Sequence, residues 1–323
     1  MDMLKAKLPD LENRRWYFAS IDHATHRPKG GACSDKEPAT TWQVAEKSYP
    51  GSRIKPATGS DVPEENPELP GFVKRPQFPA QWGTDGDPSW GGVFEQKVLE
   101  RGGAFRKSQE ERAESNAIIE RWIQELESGA AVLMLHAGCV GDFRRLWSRA
   151  CHVFEYNYEK KHVLKSGPFE WMAPFKATWG VDYKGDLLTF GCSCSYLART
   201  DGVLGRDKFD PRGTPGIFVD YKTEGAVEVI DLKTLREEKT IRTVVTRDFQ
   251  ADTQVFPLRD ITMKRWFLSL SLSRRMPSAC SCGTMPRRVR PTRAGECRQR
   301  CVGSASTSSA TTSACAWSAS HRP

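Results

Sequence analysis

The chain reads as an α/β fold followed by a small all-β segment and an end without regular structure. Three observations predict this. Apolar stripes at helical period lie between residues 91 and 158, short β-rich runs follow Gly180, and all periodicity vanishes beyond about Ile261. The length, 323 residues, suits one large or two ordinary domains with a real core. The longest apolar run, residues 130–140 with His136 inside it, is too short to cross a bilayer, and the first seven residues lack the apolar stretch of an export leader. Ten cysteines in a chain this long do not make a disulfide scaffold, which favours a reducing, intracellular setting.

Taken in order, residues 14–22 (Arg-Arg-Trp-Tyr-Phe-Ala-Ser-Ile-Asp) form an aromatic and apolar run that predicts a strand ending at Asp22. Seven prolines between Pro50 and Pro79 exclude long helices and central strands, so about 49–82 is expected as a loop or irregular insertion. In residues 91–103 Val93, Phe94, Val98 and Leu99 share a helical face, and Gly102-Gly103 stop it. Ile118, Ile119, Trp122, Ile123 and Leu126 predict a longer amphipathic helix over 115–135, with Glu120, Arg121, Gln124 and Glu127 off its apolar stripe. A third helix is expected around 143–158, carrying Leu146, Trp147, Ala150 and Phe154. Strands are expected at 187–190, 194–197, 216–221, 226–231 and 240–249, the spacing of a small antiparallel barrel or sandwich.

Charge is placed unevenly. Residues 261–323 hold 11 basic residues and one acid, leaving the first 260 with 37 basic and 39 acidic residues, a net of −2. Global charge therefore says little about a partner. The end segment has ten Arg to one Lys, twelve Ser, five Cys, and no Asp, Asn or Tyr. It reads either as a disordered Ser/Arg-rich extension or, better matched to that bias, as translation of GC-rich nucleic acid outside its frame. Cys280, Cys282, Cys297 and Cys301 lack the paired spacing and apolar flanks of a zinc knuckle.

The residues that point to chemistry are Asp22, Asp85 and Glu120, separated by 63 and 35 positions. Asp85 sits in Trp82-Gly-Thr-Asp-Gly-Asp-Pro-Ser-Trp90, at a strand end before a Gly-rich turn, and Glu120 lies on the polar side of its helix. Carboxylates from two strand ends and a neighbouring helix suit hard cations, and two such cations about 3.5–4 Å apart serve phosphodiester chemistry. With 40 acidic residues in the chain, spacing alone is weak.

Local context adds to it. Ser115-Asn-Ala-Ile-Ile-Glu120-Arg, followed by Leu146-Trp-Ser-Arg-Ala150, resembles the end of the integrase core of copia-type retrotransposons, with Ala117 where Gly is usual. Thr189-Phe-Gly-Cys192, Lys208-Phe-Asp-Pro-Arg212 and Gly216-Ile-Phe-Val-Asp-Tyr221 resemble, in order, the small Src-homology-3-like barrel that follows that core, with Val219 and Asp220 replacing Leu and Gly. Val229-Ile-Asp231 and Val245-Thr-Arg-Asp-Phe249 continue the likeness, which spans about residues 84–256 and extends more weakly to Asp22. The resemblance implies a Pol polyprotein fragment with a ribonuclease H-like mixed-sheet core over 1–165, a small barrel over 166–260 and a disordered or out-of-frame tail over 261–323. It implies DNA integration in cytoplasm and nucleus: metal-dependent cleavage and joining of DNA ends with Mg²⁺ or Mn²⁺, and assembly with other copies. Asp22, Asp85 and Glu120 would be catalytic metal ligands, converging within about 10 Å. Asp85 belongs to a motif stretched by an insertion, so Asp87 is its reserve.

Other candidates read more plainly. Cys192 and Cys194 are expected as buried small side chains rather than a metal pair, and Trp82 and Trp90 as core, with base stacking as the alternative. His23 and His26 beside Asp22 read as surface histidines, with tuning the site or acting as a base as the alternative, and the scattered Arg121, Lys222, Lys233, Arg242 and Arg247 as a solvated face, with phosphate contact as the alternative. Two rivals stand against an active integrase. One is a decayed relic that at most binds nucleic acid or a partner, and the other is an unrelated β-rich interaction module.

Overall fold

The computed structural model describes residues 1–50, 78–107, 117–197, 213–222 and 225–261. Most of the proline-rich stretch, the 208–212 motif and the end segment with Cys280, Cys282, Cys297 and Cys301 lie outside the described residues.

Three antiparallel strands open the fold, β1 (Asp2–Lys5), β2 (Trp16–Ile21) and β3 (Pro28–Cys33), in the order β1-β2-β3. Asp2 pairs with Ala19, and Phe18 with Gly31. The aromatic run of β2 is buried along Tyr17, Phe18, Ala19 and Ser20, as its composition predicts. β1 and β3 were not legible as strands: β1 is four residues long, and β3 reads Pro-Lys-Gly-Gly-Ala-Cys. Gly30 serves a close approach, because a β-carbon there would stand 2.5 Å from both Glu155 Oε1 and the Phe18 carbonyl.

Helix α1 (Pro38–Ser48) buries Thr41, Trp42 and Ala45. A parallel pair follows, β4 (Gln81–Thr84) and β5 (Ala104–Lys107), joined through helix α2 (Val93–Glu100). Met1 N donates to the Gly83 carbonyl (2.9 Å) and brings the start of β1 against β4. An aromatic cluster of Phe18, Trp42, Phe78, Trp82, Trp90 and Phe94 fills the space behind them. Trp82 and Trp90 are thus core residues, and base stacking is closed to them.

The expected long helix is α3 (Ala117–Ala137), which buries Ile119, Trp122, Leu126, Ala130 and Ala137. The third helix begins later than its pattern predicts. Residues Gly141–Leu146 make a 3-10 turn, and α4 runs Trp147–Lys161. Where α3 crosses α4, Gly129 admits the Phe154 ring, and Trp122 stacks on Phe154 with Tyr158 edge-on at 4.8 Å. A short helix α5 (Pro174–Trp179) packs on α4 and stops at Gly180 in the left-handed region.

The β-rich segment forms a five-stranded antiparallel sheet of β6 (Ser193–Tyr196), β7 (Thr214–Tyr221), β8 (Val227–Asp231), β9 (Thr243–Thr246) and β10 (Phe249–Asp252). Its order is β10-β6-β7-β8-β9, with helix α6 (Leu232–Glu237) between β8 and β9. Two expectations are corrected. Residues 187–190 form no strand, because the Tyr221 hydroxyl takes up Leu188 N (2.5 Å) and reaches its carbonyl (3.3 Å). Residues 240–249 are not one strand but parts of two, parted at Arg247-Asp248 and sent to opposite edges of the sheet. Opposite edges of a flat five-stranded sheet would lie about 19 Å apart, while the chain from Thr246 to Phe249 spans at most about 11 Å. The sheet is therefore strongly curled.

One apolar cluster runs from Leu4 and Tyr17 through α3 and α4 to Ile217, Phe218 and Leu258, and the described residues all fall within one compact unit. Helix α4 lies at its middle, touching β3, α3, α5 and β7.

Candidate functional site

Asp85 follows β4, whose alternation buries Trp82 and Thr84. Its Oδ1 accepts a hydrogen bond from the buried Trp90 indole (2.6 Å) and a longer one from Asp87 N (3.3 Å). Its second oxygen accepts none among the described residues, so Asp85 is oriented with one oxygen left over. The reserve ligand, Asp87, is engaged elsewhere. It caps the 3-10 turn Pro88–Trp90 through Ser89 N (2.9 Å) and the Ser89 hydroxyl, and pairs with Lys36. Burial works against its charge, but the Lys36 ammonium and the Ser89 donors hold it at about 2.

Asp22 stands just beyond β2, exposed, in the turn to β3. Its Oδ2 accepts from Thr25 N (2.8 Å) and the Thr25 hydroxyl (2.6 Å), and His26 closes the turn with φ +53°. This is a local Asx-type turn. Glu120 is exposed in the first turn of α3, where a carboxylate complements the helix dipole. Its neighbours Ile119 and Trp122 anchor that turn in the core, and α3 packs across β1 and β2.

Among the described residues no three His, Cys, Asp or Glu side chains stand close enough together to hold a metal ion. Asp22, Asp85 and Glu120 therefore do not form such a group in this structure. The carboxylate whose charge does reach Asp85 is Asp2, on β1. Burial raises the Asp2 pKa, the Met3 amide (2.6 Å) opposes this, and the negative charge of Asp85 raises it further. The Met1 ammonium and Lys36 act on Asp2 in the opposite sense, and the oxygens of Asp2 and Asp85 are the hard donors at this end of the fold. Sequence reasoning missed Asp2. Its signal was an acid set between Met1 and Met3-Leu4, a polar residue inside an apolar strand.

The remaining candidates resolve simply. Cys192 and Cys194 are buried free thiols, pushed by burial to about 12 and about 11, and are inert packing residues. Lys222 is committed to Asp220 (2.7 Å) and Glu228 (2.9 Å) rather than offered to a phosphate. Arg121 is exposed and His23 lies on the open Asp22 turn. No helix among the described residues is long and apolar enough to cross a membrane.

Comparison with known proteins gives no match to a family model and none to a curated protein. Among solved structures, the chain is similar to a chain of the simian T-cell lymphotropic virus intasome in complex with PP2A regulatory subunit B56 gamma. The identity is 10% and the TM-score 0.38, over 77% of this chain and 75% of that one. It is also similar to the catalytic core domain of BIV integrase, at 10% identity and a TM-score of 0.35, over 55% of this chain and 89% of that one.

Proposed function

We propose that this chain is a copia-type, integrase-like polynucleotidyl transferase fragment that cleaves and joins DNA ends. The observation that carries the reading is Asp85 at the end of β4, which Met1 ties to the start of β1, with one oxygen fixed by the Trp90 indole and the other without a partner among the described residues. Helix α3, which bears Glu120 in the Ser-Asn-Ala-Ile-Ile-Glu-Arg motif, packs over the same β1–β2 pair. The curled sheet, with its edge strands joined by two residues, supports a small Src-homology-3-like barrel behind this core.

In this reading Asp85, Glu120 and a first carboxylate, Asp22 or Asp2, hold Mg²⁺ or Mn²⁺. The bound ions would activate the attacking oxygen and stabilise the leaving one. The chain's own part is positional. The Trp90 indole fixes one Asp85 oxygen and leaves the other without a partner among the described residues, and the apolar anchors Ile119 and Trp122 set the start of α3. DNA ends and target DNA are the proposed substrates, with further copies of the chain as partners, acting in cytoplasm and nucleus. The described body is not basic, so its affinity for DNA rests on local Lys and Arg and falls steeply with salt.

The second reading is a catalytically decayed relic. One observation favours it: the three expected carboxylates are not gathered into a group among the described residues. The deciding experiment incubates the chain with blunt and recessed duplex ends in Mn²⁺, Mg²⁺ or EDTA. Metal-dependent cutting or joining that Glu120→Gln abolishes, at unchanged DNA affinity, supports the transferase. Equal background from wild type and Glu120→Gln leaves the relic.

A further inference from the structure

Helix α4 carries an acid that the proposed chemistry does not use. Glu155 lies at mid-helix, buried against β2 and β3. Its Oε2 accepts the Tyr17 hydroxyl (2.9 Å), itself on β2. Its Oε1 is buried and has no hydrogen-bond partner. That oxygen presses on Gly30 of β3, at the same spot that the Phe18 carbonyl crowds, and only the absence of a β-carbon leaves room for both. A buried carboxylate oxygen without a partner is costly when charged and less so when protonated, because the neutral acid gives up less hydration.

Three of the cations nearby are engaged by other acids. Glu159, one turn on, takes Arg27 and Lys160, while Lys29 is lowered chiefly by burial and feels the charges of both Glu159 and Glu155. His152, one turn back, holds Asp220 of β7 through Nδ1 (2.5 Å). From β2 only the neutral Tyr17 faces Glu155. From β3 it is Lys29, from the end of α1 the neutral Tyr49, and from α4 itself Cys151, His152 and Glu159.

We infer that Glu155 is a proton-operated latch: protonated, it seats α4 on β2 and β3, and ionised, it drives that contact open. Burial pushes its pKa up to about 7 from an ordinary 4.5, outweighing His152, Tyr17 and Lys29. A raised carboxyl pKa has a definite sign. Its contribution is complete below about 4.5 and is lost as pH rises through about 7. His152 is also raised, since Asp220 outweighs the effect of burial, and its contribution is lost too as pH rises, but above 6.5. His162 and the Met1 amine are both lowered chiefly by burial and gain stability as pH rises, so a fall between pH 5 and 6.5 is assigned to Glu155.

The test is thermal unfolding of the full chain at intervals from pH 5 to pH 8. Wild type is expected to lose about 5–10 °C in Tm. Glu155→Gln should show no fall from pH 5 to 6.5 and melt above wild type at pH 8, and His152→Asn should keep the fall between pH 5 and 6.5. A fall that persists in Glu155→Gln, or that vanishes in His152→Asn, overturns the proposal. Infrared titration of the wild-type chain covers the case in which a variant does not fold. A buried carboxylic-acid carbonyl band that disappears near pH 7 supports the latch, and its absence at pH 6 refutes it.

Discussion

Acids at the β1–β4 end and acids on and around α4 meet opposite surroundings. Beside α4, Glu228 receives Arg149 (2.8 Å) and Lys222, and Glu159 receives Arg27 and Lys160. The charge of each is matched from the chain itself. At the sheet end, Asp2 feels the charge of another acid, Asp85, against those of the Met1 ammonium and Lys36, and Asp85 has one oxygen unengaged among the described residues. Matched buried pairs hold elements in register, whereas unmatched carboxylates leave a place for a cation from outside. Glu155 lies between the two cases, buried among matched pairs but without a cation of its own.

The comparison can be broken most sharply at Asp85. Asp85→Asn is expected to reduce metal-dependent DNA cleavage by at least about 100-fold, the upper range for residues that only support metal ligands. Its Tm should stay within a few degrees of wild type, and NMR titration should show Asp2 moving down toward the ordinary carboxylate range. An unmoved Asp2 would separate the two acids.

At the matched end the loss falls on stability instead. Arg149→Met strips Glu228 and Glu12 of their shared guanidinium and should cost about 3–5 kcal/mol in urea unfolding. Glu228 itself should sharpen the contrast in acid. Burial opposes its charge, but Arg149 and Lys222 hold it at about 2, below the ordinary 4.5. A depressed carboxyl contributes stability above its unfolded value and loses it as pH falls from 4.5 toward 2. That loss is roughly 3 kcal/mol and should be missing from the acid titration of Glu228→Gln. This sign is opposite to that of Glu155, one helix face away.

Smaller effects follow. Asp87→Asn weakens the cap on Ser89 and the Lys36 pair, at a cost of about 1 kcal/mol, and should leave DNA cleavage intact. Asp22→Asn should change stability by no more than about 0.5 kcal/mol, as an exposed turn residue. Its activity decides the first carboxylate: if Asp2→Asn matches Asp85→Asn while Asp22→Asn keeps wild-type turnover, Asp2 fills that role.

The sequence by itself determined the elements whose periodicity is strong. The stripe from Ile118 to Leu126 specified α3, the aromatic run specified β2, and turn-separated β-branched stretches specified β7 and β8. Asp85 was legible because its Gly-rich turn and flanking tryptophans mark a strand end. Tertiary structure decided what has no local pattern. β1 and β3 are strands because β2 offers them partners, not because Met-Asp-Met-Leu or Pro-Lys-Gly-Gly favours extension. Residues 240–249 divide because the sheet curls, and a curl is a property of five paired strands rather than of any one. The meeting of Asp2 with Asp85, 83 positions apart, and of Glu155 with Gly30 and Tyr17 comes from the packing of distant segments. Charge repulsion and desolvation depend on distance in space, and that distance is set only when the core closes.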